Sequence, residues 1–483
     1  MNYGQFLYMF PECALVVALI IVFAFDFAMS KSGELRGEKP NTALGRLTWF
    51  MLMSVGFAIF SVMRQEDTIT AFGGMYVATQ AVNVMKMILT FGTFIVVMMA
   101  DSWVATRQRI AGEFYMLILS TLLGMFVMMS SGNFLLFFLG LEMASVPMAC
   151  MVAFDKWKQK SAEGAAKYIL TATFSSGVML YGISFIYAAA GTLYFDDVAA
   201  TITASPLAIM GLVFFFSGLG FKISLVPFHF WTADTYEGAP TPVTGYLSVI
   251  SKGAAALTLC IILMKVFQPL VYYWEYLLYI VIVLSITVAN LFAIRQSELK
   301  RFMAFSSISQ AGYIMLAVVG NSQMGVAALT YYVLVYVAAN MAVFTVINVV
   351  ERQSGRTDMA AYNGFYQTNP KLSFLMTLAL FSLAGIPPFA GMFSKFFVFM
   401  AAAEQGSAAA YFVVFIALVN TVVSLYYYLL IVKAMYITKT DSPMSTFKSD
   451  ECTKIALGIC TAGVALFGVC SCIYEWIAAA GLS

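Results

Sequence analysis

Residues 216–252, FSGLGFKISLVPFHFWTADTYEGAPTPVTGYLSVISK, place a lysine at mid-depth in each of two successive apolar runs. Lys222 lies five residues before Pro227 in a run from about 207 to 231, and Lys252 lies in the next, from about 240 to 264. A proline inside a helix removes a backbone hydrogen bond and clashes with the preceding turn, so the first run is expected to break near Lys222. Polar backbone freed by such a break survives at membrane depth only where protein packs around it or where it lines a wet cavity. Two buried amines beside one break read as stations on an ion or proton path.

The composition places the whole chain in a bilayer. Of 483 residues, 61% are apolar and only 10% charged, with a mean hydropathy of +0.87, against about 25% charged in soluble domains. Seven cysteines, Cys13, Cys150, Cys260, Cys452, Cys460, Cys470 and Cys472, form no C-x-x-C pair and read as small core residues. His229 is the single histidine, and there is no G-x-G-x-x-G after a strand and no Walker lysine. Ligands for haem, Fe–S, zinc or nucleotide are therefore lacking, and no cofactor is expected in this chain.

Apolar stretches of spanning length fall at about 10–29, 44–63, 71–100, 113–131, 133–153, 164–190, 207–231, 240–264, 270–294, 301–320, 323–350, 372–400, 408–437 and 454–478. The expected fold is an all-α integral membrane domain of about fourteen transmembrane helices. With the N-terminus outside, the inside loops hold eighteen basic residues: Lys31, Arg36, Lys39, Arg46, Arg107, Arg109, Lys156, Lys158, Lys160, Arg295, Lys300, Arg301, Arg352, Arg356, Lys371, Lys439, Lys448 and Lys454. Outside loops hold two, Arg64 and Lys265. The excess predicts both termini on the non-cytoplasmic face.

Six lysines remain within spans. Lys167 and Lys433 lie near span ends, where the long stem snorkels to the interface. Lys222, Lys252 and Lys395 lie too deep for that, and for Lys86, in span 3, pairing with a neighbouring helix and a part in transport are both open. Span 12 repeats the oddity of span 7: LFSLAGIPPFAGMFSKFF couples a Gly/Pro break to Lys395, and its Phe381-Ser382-x-x-Gly385 matches Phe216-Ser217-x-x-Gly220. Five helices separate the two breaks, and an odd displacement reverses orientation, so spans 4–8 (113–265) and 9–13 (270–438) are expected to be inverted five-helix repeats with broken helices 7 and 12. Spans 1–3 (1–112) precede them and span 14 (454–478) follows, all in one membrane domain.

One mid-span carboxylate, Glu142 in span 5, answers the amines. Unpaired, it would cost at least a few kcal/mol, so a pair with Lys222 is expected; at about 4 Å and an effective dielectric near 20 the attraction is about 4 kcal/mol. Ser306, Ser307, Ser309 and Gln310 in span 10, Tyr336 and Asn340 in span 11, and Thr244 and Ser248 in span 8 continue a polar track. Each alone is ordinary helix–helix glue; beside three deep lysines and a glutamate they outline a wet mid-membrane axis. His229, after the break, reads either as a packed residue or as a proton donor into that axis.

Three stretches carry a family resemblance: LVPFHFWTADTYEGAPTPVTGYLSVISK, LKRFMAFSSISQAGY in span 10 and GIPPFAGMFSKF in span 12, together with the Pro11-Glu12 opening of span 1. They resemble the antiporter-like membrane subunits of respiratory complex I, over essentially the whole chain. Ala233 departs from the pattern, which has proline there, and no long lateral helix of the kind carried by the largest member is expected after span 14. The resemblance implies a proton-translocating, redox-inert subunit of an NADH:quinone oxidoreductase in a bacterial inner membrane, with periplasmic termini. It implies Glu142 and Lys222 as a pair, Lys252 as the central lysine and Lys395 as the lysine near the outward half-channel; His229, Lys86, Ser307 and Tyr336 are candidate accessory positions on the residues themselves. NADH, FMN, Fe–S clusters and quinone would belong to partner subunits, and the partners would be sister membrane-arm subunits, the peripheral NADH-oxidising arm indirectly, and lipid, with no nucleic acid.

Desolvation disfavours a charged amine and a nearby carboxylate favours it, so separating Glu142 from Lys222 would push a proton onward to Lys252 and Lys395. A swing of ~3 pKa units supplies about 4 kcal/mol, more than the about 2.3 kcal/mol needed per 100 mV. Two other readings compete. A cation/proton antiporter prefers carboxylates at the central stations, since sodium wants oxygen ligands, and a relative serving a hydrogenase, ferredoxin or F420H2 complex would use a similar chain. A non-conducting scaffold would tolerate neutralisation of Lys252.

Overall fold

The computed structural model describes residues 3–32, 42–63, 68–105, 107, 110–440 and 443–480. Its helices are α1 (Phe10–Ser32), α2 (Ala43–Met63), α3 (Gln80–Ala105), α4 (Ala111–Met129), α5 (Phe134–Val152), α6 (Gln159–Ala190), α7 (Phe195–Thr201), α8 (Pro206–Ile223), α9 (Phe230–Gly238) and α10 (Thr241–Tyr246). They continue as α11 (Lys252–Lys265), α12 (Val271–Ile294), α13 (Leu299–Val319), α14 (Gln323–Ser354), α15 (Phe365–Thr368), α16 (Pro370–Ala384), α17 (Ala390–Glu404), α18 (Ala408–Tyr436), α19 (Glu451–Val469) and α20 (Ser471–Ala479). Among the described residues thirteen helical stretches are long and apolar enough to cross a membrane. The expected span 12 is absent from that set because it is two halves, α16 and α17, so the expected fourteen spans are thirteen long helices and one broken pair.

Both breaks fall where glycine and proline put them. The first half of span 7, α8, ends with Ser224 in the left-handed region at φ 68°, and the second half, α9, restarts at Phe230. The freed backbone is matched: Leu225 N donates to Gly220 O at 2.8 Å, Val226 N to Ser285 Oγ on α12 at 2.9 Å, and Trp231 Nε1 to Phe221 O at 3.2 Å. In span 12, α16 ends at Ala384, and Gly385, at φ 89°, turns the chain so that its own N–H and that of Ile386 both reach Phe381 O at 3.0 Å. Gly391 N donates to Ser382 Oγ at 3.1 Å, closing the second half against the first. Between α10 and α11, residues Leu247–Ser251 form a π turn that leads directly into Lys252; such wide turns cluster at functional sites.

Several expectations need correction. Span 3 does not start at 71: Ile69–Ala71 (β1) and Tyr76–Ala78 (β2) pair as an antiparallel hairpin, with Gly73 and Gly74 at φ 66° and 86° making the turn, and α3 starts at Gln80. Lys300 is not a loop residue but is buried at the start of α13, where Nζ donates to Ala239 O at 2.9 Å. Lys160 opens α6 rather than preceding it. Lys167, read as snorkelling, is held by Asp234 and Glu163, each at 2.6 Å. Of the cysteines only Cys260 and Cys460 are buried, while Cys150 and Cys472 are exposed. Of the residues behind the charge asymmetry, Arg36, Lys39, Arg64 and Arg109 lie outside the described residues, as does the side chain of Lys31.

The core runs through α11, α13 and α14, whose membrane windows are 94–100% buried, while α1, α6 and α18 form the rim with windows only 28% buried. Rim residues such as Phe57, Phe174, Leu170 and Val422 are exposed, an apolar surface of the kind a bilayer covers. The deep lysines therefore sit on or beside the most enclosed helices.

The close approach at the second break makes a specific demand. A Cβ added at Gly391 would lie 1.7 Å from Ser382 O, whereas one at Gly177 on α6 meets nothing within 4 Å. Gly391→Ala is expected to destabilise the detergent-solubilised protein by roughly 1–3 kcal/mol, the usual range for overpacking. Gly177→Ala should leave the melting temperature unchanged or raise it, since alanine favours a helix by about 1 kcal/mol over glycine.

Candidate functional site

Lys222 lies in the last turn of α8 and is 4% exposed. Its Nζ donates to Ser145 Oγ on α5 at 2.8 Å and to Tyr168 OH on α6 at 3.3 Å. The expected direct pair with Glu142 is not present: among the described residues no carboxylate oxygen lies within 4.0 Å of that amine. Glu142 stands one turn before Ser145 on the same face of α5, within electrostatic reach of both Lys222 and Tyr168, and its Oε1 is buried without a hydrogen-bond partner. The physical reason is spacing along the helix: Ser145, three residues on, occupies the position facing the amine. The ammonium is thus met by two hydroxyls and not by the carboxylate.

Lys252, 1% exposed, opens α11 just after the π turn. Its Nζ donates to Ser307 Oγ on α13 at 2.6 Å and sits 5.5 Å from the centre of the Tyr236 ring on α9. Ser307 Oγ and Tyr236 OH are 3.3 Å apart, and Asn340 on α14 donates to Ser248 Oγ one turn from Lys252. Further along α13, Gln310 Oε1 accepts from Tyr332 OH, and Gln310 Nε2 donates to Tyr428 OH at 3.2 Å. Tyr336 OH is buried without a partner and, with Gln310, Tyr332, Ser382, Ser394 and Lys395, lines an internal cavity of about 10 Å³, which is about the room one water needs.

Lys395 closes this row. It is 4% exposed on α17, but its Nζ reaches back to donate to Ala384 O, the final carbonyl of α16, at 3.0 Å, with the Tyr313 ring centre 5.0 Å away. Lys222 lies in the last turn before its break and Lys395 follows its own, with its ammonium bonded to the C-terminal end of the first half-helix. That end carries partial negative charge, which favours a cation.

The accessory positions divide. His229 lies between α8 and α9, buried, its ring centre 4.6 Å from that of Phe230 and Nδ1 without a partner. Lys86 is outside the axis: Nζ is 2.6 Å from Glu12 Oε1 on α1, and Tyr76 of β2 joins both, accepting from Lys86 at 3.3 Å and donating to Glu12 Oε2 at 3.1 Å. The chain therefore holds a second buried carboxylate–lysine centre, covered by the hairpin.

At the ends of α3, α5 and α14 a cavity of about 370 Å³ is lined by Arg107, Asp155, Lys158, Thr241, Glu351 and Arg352 among others. Thr241 donates to Glu351, and Lys300 lies 3.8 Å from the same carboxylate. Beside it, Asp234 and Glu237 on α9 are clamped by basic side chains. Partial burial pushes both carboxyls up, but hydrogen bonds from Lys167 and Arg301 to Asp234, and from Lys160 and Arg301 to Glu237, outweigh it and hold both below the ordinary carboxylate range. A depressed folded-state value means that their stabilisation is present above the ordinary range and is lost as pH falls through the lowered values.

Broken half-helices carrying buried lysines joined by hydroxyls define an antiporter-like membrane protein, and the chain belongs to the family described as NADH:quinone oxidoreductase/Mrp antiporter, TM, which matches residues 131–424. It is 55% identical over 479 residues, 98% of each chain, to the NADH-quinone oxidoreductase subunit N of Phocaeicola vulgatus, and 49% identical over 485 residues, 99% of this chain and 98% of the other, to that of Azobacteroides pseudotrichonymphae. Among solved structures it is similar to a chain of respiratory complex I from Thermus thermophilus with bound aureothin, at 30% identity and a TM-score of 0.80, covering 96% of this chain and 100% of that one. A chain of the archaeal membrane-bound sulfane sulfur reductase shares the fold at 23% identity and a TM-score of 0.85, covering 97% and 96%.

Sequence reasoning missed Glu12, Tyr76, Ser145, Tyr168, Tyr236, Tyr332 and Tyr428 as polar partners. Ser145 and Tyr332 carried a signal, being one turn from Glu142 and Tyr336; the other tyrosines, in a chain with 26, carried none. The Glu12–Lys86 pair gives a test. Glu12→Leu alone leaves a buried ammonium and is expected to cost roughly 3–5 kcal/mol, seen as loss of assembled complex on native gels. Adding Lys86→Met to it should restore complex content.

Proposed function

We propose that this chain is the N-type antiporter-like subunit in the membrane arm of a proton-pumping NADH:quinone oxidoreductase, moving protons along the row Glu142, Lys222, Lys252 and Lys395. The supporting observation is the row itself: three lysines, each at most 4% exposed, with hydroxyl and amide side chains beside them, Ser145 and Tyr168 at Lys222, Ser307 and Tyr236 at Lys252, and Gln310 and Tyr332 in the cavity lining shared with Lys395, in a chain whose relatives bear that name over nearly their full length. NADH, FMN, Fe–S clusters and quinone belong on this reading to partner subunits, and sister membrane-arm subunits flank it. The chain spans a bacterial inner membrane with both termini periplasmic, so the cavity at Glu351 opens to the cytoplasm.

The residues suit proton transfer by hydroxyl exchange. Ser307 accepts from Lys252 and can donate onward to Tyr236, and Ser145 and Tyr168 accept from Lys222. A proton arriving on Glu142 removes the charge that favours the ammonium form of Lys222, and the released proton moves inward towards Lys252. The small cavity at Tyr336 and Gln310 supplies the room for one water on the way to Lys395. Residues 113–265 and 270–438 act on this reading as two inverted half-channels, the first loading Lys252 and the second unloading it through Lys395. Sodium exchange, the other activity associated with the family, is a poorer fit, because ammonium groups occupy the positions where a metal cation needs oxygens.

Lys252→Ala is expected to depress proton pumping and quinone-coupled NADH oxidation together in inverted vesicles, at normal complex content. Lys252→Arg should not restore either, because a guanidinium does not release its proton. A Lys252→Arg complex that pumps at the normal proton-to-electron ratio overturns the relay. A periplasm-active reporter fused after Ser483 should be active and a cytoplasmic one inactive; the reverse overturns the orientation.

A further inference from the structure

The short helix α9 reaches the surroundings of both Lys222 and Lys252 and is held between α6 and α13 by packing and by charge. Its first turn carries Trp231, whose indole donates to Phe221 O at 3.2 Å, one residue before Lys222, and packs edge-on at 5.0 Å against Tyr168, the hydroxyl partner of Lys222. Its last turn carries Tyr236, which shares Ser307 with Lys252. One rigid element of nine residues therefore touches the surroundings of both lysines.

What fixes α9 is the paired Lys300-Arg301 at the start of α13. Lys300 Nζ caps the C-terminal end of α9 by donating to Ala239 O at 2.9 Å. Arg301 Nη1 donates to both acidic side chains of α9, to Asp234 Oδ1 at 2.6 Å and Glu237 Oε2 at 2.7 Å. Two turns further along α13 stands Ser307. The same helix thus grips α9 at one end and presents, at fixed rise, the hydroxyl to which Tyr236 must bond. Lys160 and Lys167 on α6 hold the outer oxygens of the same carboxylates at 2.7 and 2.6 Å, so α9 is strung between α6 and α13.

We infer that Arg301, with Lys300, is a positioning clamp: through Asp234, Glu237 and the α9 carbonyl end it holds Tyr236 and Trp231 in place and so sets proton transfer between the Lys222 and Lys252 stations. The inference rests on the reading that those lysines carry protons. Arg301 contacts neither lysine and acts only through α9. Its loss leaves Asp234 paired to Lys167 and Glu237 paired to Lys160, so no buried charge is stranded and the chain keeps its fold.

The test uses the whole membrane complex and measures complex content, NADH oxidation against quinone concentration, and protons pumped per NADH. Arg301→Gln should leave content and the quinone KM unchanged and lower kcat by about tenfold, within the ~100-fold that a ~1 Å misplacement of reacting groups can cost. Tyr236→Phe, which deletes only the hydroxyl on Ser307, should lower kcat comparably, and the double variant should be no worse than the worse single, because both act on one contact. Losses that multiply, or an Arg301→Gln complex at normal kcat, overturn the clamp. If Arg301→Gln lowers complex content, Glu237→Gln, which keeps the shape, takes its place with the same expectations. Lys252→Ala measured in parallel separates the two levels: normal pumping there defeats the proton-row reading, while loss there with normal kcat in the clamp variants defeats the clamp alone.

Discussion

A helix that stops inside an apolar bundle leaves carbonyl oxygens with no partner in their own helix, and this protein stops two. At the end of α8 the backbone is satisfied by Leu225, Ser224 and the indole of Trp231, with Lys222 in the last turn. At the end of α16 the Lys395 ammonium bonds the final carbonyl directly. At the second break the deep lysine and the helix end are thus one feature: the negative helix end makes a mid-membrane ammonium group tolerable, and the ammonium group helps make a mid-membrane helix end tolerable. Everything else in the row is placed relative to those two points. Lys252 meets one hydroxyl and one aromatic face.

Most of the architecture could be read in the sequence because lipid imposes a simple rule, that spanning segments are long and apolar. The breaks could be read because glycine and proline mark them. The hairpin at 69–78 was misread as the start of α3 because its residues are as apolar as a span, and only Gly73-Gly74 marked the turn. For the site, Lys222, Lys252, Lys395 and Glu142 stood out because charge is rare in a membrane span. Their partners did not. Tyr168, Tyr236 and Tyr332 differ from dozens of packing aromatics only by one oxygen, and whether that oxygen meets a lysine depends on which helices cross, which periodicity does not reveal.

The same limit explains Glu142. Sequence logic pairs the one mid-span carboxylate with the nearest deep amine, and their helices do pack together, but a helical turn of 3.6 residues decides which side chain faces across. Ser145 won that position, and the carboxylate stands one turn back with an unmet oxygen. A second carboxylate, Glu12, carries little signal because it lies two residues from where a helix is expected to begin, and it meets Lys86, for which pairing with a neighbouring helix is one of the two readings. With no direct bond between Glu142 and Lys222, either group can change charge without breaking one.

The π turn at Leu247–Ser251 has a consequence for how this region is compared with its relatives. A wide turn holds one residue more than an α turn, and each residue advances the helix by about 100°. A helical wheel drawn through 241–265 as though it were regular puts Lys252 in line with Thr241 and Ser248, about 100° from the direction it takes after the wide turn, where it is bonded to Ser307. The wide turn therefore gives the spacing between Pro240 and Lys252 one residue of tolerance: a single deletion within Leu247–Ser251 would close it into an ordinary α turn and leave the central lysine facing Ser307.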